Sequence, residues 1–378
     1  ATVDDGRGIL LQTNSTITNL TNSGTISGEA GDDIGDGILL LTSTITNLTN
    51  DGTISGEAGD TSSSGIDLSN STLTTLTNND TISGEAGTSN GHGIRLNTAS
   101  TITTLTNDGT ISGKAGTSLG HGIRLNTAST ITTLTNNDTI SGEAGTNIGN
   151  GIRLNNSDIT TLTNTGTISG TATNDVGRGI RLTTVSTLTT LTNSGTISGS
   201  AGDSFGQGIS LNNSTITTLT NNDTISGTAT TSNNGHGISL SNSGITNLTN
   251  TGTISGTATV DVNGVGIFLN TASTLLTLTN SGTISGTAGT IEGYGVRIDN
   301  ASTLTTLTNT GTIKGTATGD DGAGVIVDQN SILTTLTNHG TITGNATNAT
   351  GGVIVDRGGA ITTLLNTGTI TGTATGDE

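Results

Sequence analysis

Apolar residues recur along this chain in two interleaved rhythms. One is a short alternation, Gly-Ile-x-Leu, at Gly8, Gly37, Gly65, Gly93, Gly122, Gly151, Gly179, Gly208, Gly237 and Gly266. It becomes Val-x-Ile or Val-x-Val at Val296, Val325 and Val353. The other is a block typified by ITTLTNDGTISGKA, Ile102 to Ala115, with close copies such as ITNLTNSGTISGEA from Ile17 and LTTLTNHGTITGNA from Leu333. The block occurs 13 times without internal insertion, and successive alternations lie 28 or 29 residues apart. Length varies only between alternation and block, and after the Ala that closes the block. Insertions collect in loops, so both places read as corners.

Each repeat offers three strand candidates. Ile123-x-Leu125 alternates with period two, as does Thr130-Ile131-Thr132, and Thr139-Ile140-Ser141 supplies the third. At Asn-x-Gly or Asn-Asn-Asp (Asn107-Asp108-Gly109, Asn136-Asn137-Asp138) the last residue is always Gly or Asp. Both tolerate φ > 0, which predicts a sharp corner there. Three strands and three corners per repeat make an all-β fold: a single parallel β-helix, or β-solenoid, of 13 coils spanning residues 1–378 as one domain. Crossovers between parallel strands favour the right hand. Coils stacked about 4.8 Å apart predict a rod roughly 60 Å long.

The interior follows from the fixed positions. Leu20, Leu48, Leu76, Leu105 and their successors form one row, Ile26 through Ile370 a second, and Ala30 through Ala374 a third. An asparagine row at a corner runs through Asn22, Asn50, Asn78, Asn107, Asn136, Asn164, Asn193, Asn221, Asn250, Asn280, Asn309, Asn338 and Asn366. Stacked Asn amides hydrogen-bond along the axis as in amyloid ladders; the alternative is a separate turn role in each coil. One coil buries too few large side chains to offset the ordering of its residues, so stability must come from stacking neighbours.

Composition changes the picture in three ways. Pro, Cys, Met and Trp are absent from the 378 residues, which excludes disulfides and cysteine-ligated metals. The net charge of −18 argues against nucleic acid, which needs a basic stripe. No run of 18 apolar residues exists, so no helical membrane span is expected.

The run LTNSGTISG, repeated with GIRL or GILL, resembles the β-helical repeats of bacterial autotransporter passengers and related surface adhesins. The resemblance covers the whole chain. It implies an extracellular or cell-surface location in a bacterium, and adhesion, biofilm formation or surface coating as roles, but no particular activity.

Candidate chemistry is sparse. Arg95, Arg124, Arg153 and Arg181 occupy one outward position on four consecutive coils. They read either as a strip for anions or acidic polysaccharide, or as a solvated face neutralised by nearby acids. His92 and His121, in GHGIRL twice, read as turn residues. Glu29, Glu57 and Glu85 stack, then Lys114 intervenes before Glu143, which relieves like-charge repulsion. Thr-x-Thr pairs (Thr16/Thr18, Thr44/Thr46, Thr72/Thr74, Thr101/Thr103, Thr130/Thr132) resemble the flat arrays of ice-binding β-helices, interrupted by Asp158, Gly244, Leu276, Ile332 and Ala360. No cluster of Asp, Lys and Arg suggests a lyase groove, so an enzyme is not expected and no cofactor is required.

The leading expectation is a structural protein, with an adhesin stalk that binds surfaces or glycans as the alternative. The sequence begins at a ladder-Ala position and ends four residues past Ala374, in the same corner. This predicts head-to-tail self-assembly: Val353, Val355, Ile361, Leu364 and Ile370 of the last coil would stack on Ile9, Leu11, Ile17, Leu20 and Ile26 of the next molecule. The junction would bring Asp377 and Glu378 beside Asp4 and Asp5, with Asp32 and Asp33 one coil further. Such carboxylates suit a bridging calcium ion.

Overall fold

The computed structural model describes residues 5–231, 234–260 and 263–376. The described residues are all-β: thirty-nine strands, no helix, and three strands to each of thirteen coils of a β-solenoid. Coil 4 is representative. Its strands are Gly91–Asn97, Thr101–Asn107 and Thr110–Ala115, and each pairs in parallel with its counterpart one coil on. Like residues face like: Ile94 lies beside Ile123, Leu105 beside Leu134 and Ala115 beside Ala144.

Contacts divide the chain into two compact units, Ala1–Thr190 and Leu191–Glu378. In the first unit Leu48, Leu76, Leu105, Leu134 and Leu162 are buried, as are Ile54, Ile82, Ile111, Ile140 and Ile168. In the second, Leu219, Leu248, Leu278, Leu307 and Leu336 form the same row, and Ala288, Ala317 and Ala346 pack together where the coil narrows. The narrowing has a covalent cause. A Cβ on Gly113 would lie 1.9 Å from the carbonyl oxygen of His121, and one on Gly120 would lie 1.7 Å from that of Glu143. The third strand therefore approaches the first strands of its own coil and of the next backbone to backbone, which only glycine allows.

The asparagine row is a ladder. In the first unit each Nδ2 donates to the next Oδ1 at 2.7–2.8 Å from Asn22 through Asn50, Asn78, Asn107 and Asn136 to Asn164. In the second unit the same bonds run from Asn193 to Asn366 at 2.7–2.8 Å. The local turn role coexists with the ladder, since Asn107 Nδ2 also donates to the Gly109 carbonyl at 2.7 Å.

Two features depart from the sequence expectation. Glycine at Asn-x-Gly does not adopt positive φ; among the described residues Gly358 is the only glycine that does. What the position requires is room, because a Cβ on Gly52 would lie 2.2 Å from the Gly24 carbonyl oxygen. The left-handed residues stand instead at the corner between first and second strands, where Thr98 and Ala99 have φ of 49° and 56°. Coils with one such residue (Thr42, Asn70, Asn156, Asn213, Asn242) are shorter there than coils with two. The second feature is a serine ladder at that corner. Ser43, Ser71, Ser100 and Ser129 each offer Oγ to the backbone N–H of the serine one coil earlier, at 3.1–3.3 Å. The same bonds join Ser214, Ser243, Ser273, Ser302 and Ser331.

Candidate functional site

The chemistry gathers on the first strand of each coil, at two positions: the residue between the two glycines of Gly-x-Gly and the residue after the Ile. In coils 3 to 7 the second of these is Asp67, Arg95, Arg124, Arg153 and Arg181, in register. The first is Ser64, His92, His121, Asn150 and Arg178. His92 and His121 are not turn residues, as the sequence suggested. They lie within strands, fully buried, with rings stacked at 5.2 Å and 12°. Burial follows from the glycines around them, which draw the backbones together, and from arginines folded over them.

Arginine supplies the geometry. Arg124 Nη1 lies 3.0 Å from His92 Nε2, and Arg153 Nη1 lies 3.4 Å from His121 Nε2. Guanidinium is donor-only, so each Nε2 must carry a lone pair and each proton sits on Nδ1. His121 Nδ1 then donates to the Gly120 carbonyl at 2.8 Å, while His92 Nδ1 meets no partner among the described residues. Burial pushes both imidazoles well below their usual pKa, and the surrounding cations lower them further. Both rings are neutral acceptors at neutral pH.

The arginines are half-buried rather than solvated, and they are not neutralised in the way the acidic composition suggested. Arg95 pairs with Asp67 at 3.5 Å. Among the described residues no carboxylate forms an ion pair with Arg124, Arg153 or Arg181. Asn126, with its amide oxygen turned toward the guanidinium, accepts from Arg124 Nε and Nη2 at 3.1 Å. Arg153 Nε meets no acceptor among the described residues. Burial pushes Arg124 and Arg181 down to about 10, with repulsion from Arg153 adding to both shifts; they stay charged at neutral pH. Beside the arginines runs an amide row: Asn97, turned in the same way, donates from Nδ2 to the Asn126 oxygen at 3.2 Å, and Asn155 follows in register. Thr183 Oγ1 continues it to Asn155 Oδ1 at 3.2 Å.

The other sequence candidates are placed as follows. Glu29, Glu57 and Glu85 are exposed and line a shallow trough of about 490 Å³, and Lys114 bridges to Glu85 at 3.0 Å. The Thr-x-Thr residues align in register on the second strands, with Leu276 and Ile332 exposed among them. Asp4, Asp377 and Glu378 lie outside the described residues. Asp5 pairs with Arg7, and both Asp5 and Asp33 accept from the Ile34 N–H, at 3.3 and 3.1 Å. Asp32 has no placement near them that would make a ligand set: among the described residues no group of three or more His, Cys, Asp and Glu is arranged to hold a metal. Among the described residues no helix is long and apolar enough to cross a membrane.

The chain matches no protein-family model, no curated protein and no solved structure.

Sequence reasoning missed the burial of the histidine row and the neutral amide row. The signal for both was present: His92 and His121 stand between glycines, and Asn97, Asn126 and Asn155 repeat two residues after the arginines.

Proposed function

We propose that this chain is a structural protein, a cell-surface β-solenoid that assembles end to end through its coil faces. One observation carries the reading: each coil is a template for the next, because like residues of adjacent coils pair in register and the asparagine ladder runs from coil to coil. The ladder gives the coil face a direction. Asn107 Nδ2 donates to Asn136 Oδ1 and Asn107 Oδ1 accepts from Asn78 Nδ2, both at 2.8 Å. A coil therefore offers a donor on one face and an acceptor on the other, and a coil of a second copy meets either. A head-to-tail contact that does not close yields a fibre.

The resemblance to surface adhesin repeats supports the location. The experiment is light scattering with negative-stain electron microscopy of the purified protein, beside a Leu364→Asp/Asn366→Asp variant. Fibres for the parent and single rods for the variant are expected. Single rods for both defeat the reading.

A further inference from the structure

We propose that Arg95, Arg124, Arg153 and Arg181 form a binding track for a linear acidic polysaccharide that carries a carboxylate on each sugar. Other cations of this chain find acidic partners. Arg7, Lys114, Arg297 and Arg357 each pair with a carboxylate: Asp5, Glu85, Glu292 with Asp299, and Asp328 with Asp356. In a chain of net charge −18 such partners are abundant. Yet Arg124, Arg153 and Arg181 stand in line on adjacent strands, half-buried; Arg124 and Arg153 meet neutral acceptors, and among the described residues none of the three forms an ion pair with a carboxylate. Placing like charges side by side costs free energy, which an external anion removes.

The shape of the track selects the anion. In-register parallel strands repeat every 4.7–4.9 Å, so the guanidiniums form a straight row of one group per coil. A straight polymer with one repeating anionic group suits it better than a single compact anion. The planar fork of arginine matches a carboxylate with two parallel bonds. The adjoining row of Asn97, Asn126, Asn155 and Thr183 offers amide and hydroxyl groups suited to sugar hydroxyls. Single-stranded nucleic acid would use aromatic stacking platforms, and no aromatic side chain is present at the track positions. Asp67, at the head of the row, neutralises Arg95, so the three following arginines dominate.

The proposal does not depend on end-to-end assembly. The test is calorimetric titration of the parent protein with tetragalacturonate, its fully methyl-esterified form, and a short oligothymidylate. The parent is expected to bind the free acid, more weakly as salt rises, and to ignore the ester. Each of Arg124→Gln, Arg153→Gln and Arg181→Gln is expected to lower affinity about tenfold, while Arg357→Gln leaves it unchanged. Because these substitutions relieve repulsion, the single variants should melt near or above the parental temperature, and each is read separately. No binding by the parent overturns the proposal, as does equal binding of the ester, equal binding of the oligothymidylate, or undiminished binding by the folded variants.

Discussion

The same two strand positions are filled in opposite ways in coils 4 to 6, in the first unit, and coils 10 to 12, in the second. In coils 4 to 6 the Gly-x-Gly residue and the residue after Ile are polar: His92 with Arg95, His121 with Arg124, Asn150 with Arg153. In the second unit Val265, Tyr294, Ala323 and Ile326 form a buried apolar cluster with Phe268 and Ile354 against it, a second core beside the Leu–Ile interior. Both units contain an arginine in this row, and their surroundings differ as much as the rows do. Arg297 lies between Glu292 and Asp299 at 2.5 and 3.0 Å, with its guanidinium 5.5 and 5.3 Å from the Phe268 and Tyr294 ring centres. Arg124 and Arg153 meet histidine, amide and one another. The backbone pairing is identical in the two units, so a parallel coil does not dictate what its outer rows contain. It dictates only that a row be internally compatible, and the charged row of the first unit is the exception that meets this demand poorly.

The largest test of this contrast exchanges the arginines. Arg297→Gln leaves Asp299, itself buried, without its counter-charge, and breaking such a pair costs about 3–5 kcal/mol. Arg124→Gln relieves repulsion from Arg95 and Arg153 while giving up the bonds to His92 and Asn126, and the expected net change is close to zero. Urea midpoints for the two variants decide it. An equal loss would mean that the two arginines play one structural role.

Acid and base should act on Asp36 in the first unit and His236 in the second with opposite sign. Burial, with Asp67 adding, raises the Asp36 carboxyl from 3.8 to about 7. The folded state then holds a proton that the unfolded chain releases, so the stability linked to Asp36 is complete below about pH 4 and is lost as pH rises through 7. Burial, with Arg297 adding, lowers His236 from 6.5 to about 3. Its folded form stays neutral while the unfolded chain takes up a proton, so stability is complete above about pH 6.5 and is lost as pH falls toward 3. Asp36→Asn should raise stability at pH 8, and His236→Gln at pH 4, each by about 2–4 kcal/mol given 1.36 kcal/mol per pKa unit. Midpoints measured at both pH values would refute the scheme if either variant gained at the wrong end.

The shared rows should behave alike where the outer rows do not. Asn107 accepts from Asn78 at 2.8 Å and donates to Asn136 at 2.8 Å, and Asn309 accepts from Asn280 and donates to Asn338 at 2.7 and 2.8 Å. Asn107→Ala and Asn309→Ala should each cost roughly 2–3 kcal/mol by leaving buried amide groups unpaired. Unequal losses would show that the ladder depends on the outer rows.

These ladders also mark what the sequence could reveal. The Leu, Ile and Asn rows were legible because each contacts two copies of itself, so a change in any coil disturbs both neighbours and the letter stays fixed along the chain. The histidine row was not legible: its letters run Ser64, His92, His121, Asn150, and nothing in the identity of His beside Arg predicts burial. The left-handed corner was hidden for a related reason. Thr98, Ala99 and Val185 are poor residues for positive φ, and only the stacking of corner on corner holds them there. Glycine at Asn-x-Gly was read for its conformational freedom, when its contribution is the absence of a side chain.

The smallest expected effect concerns the serine ladder, which both units share. Ser129 Oγ accepts from the Ser100 N–H at 3.3 Å and donates to the Asn126 carbonyl at 2.7 Å, and Ser273 does the same with Ser243 and Asn270 at 3.2 and 2.5 Å. Coil 13 shows what happens without the hydroxyl. Gly359 stands where serine would, and the Ser331 N–H turns instead to the Asp328 carbonyl at 3.0 Å. That bond lies within the Asp328-Gln329-Asn330-Ser331 corner, so the turn supplies the acceptor that the next coil lacks. Ser129→Ala and Ser273→Ala present the same deficit inside a unit. Each leaves one buried backbone N–H to find a local carbonyl, as Ser331 does, so the cost should be about 1 kcal/mol and equal in the two units. Thermal melts of the two variants check this. A loss as large as that of Asn107→Ala would mean that interior corners cannot make the substitute bond, and a difference between the variants would mean that the polar and apolar outer rows reach as far as the corners.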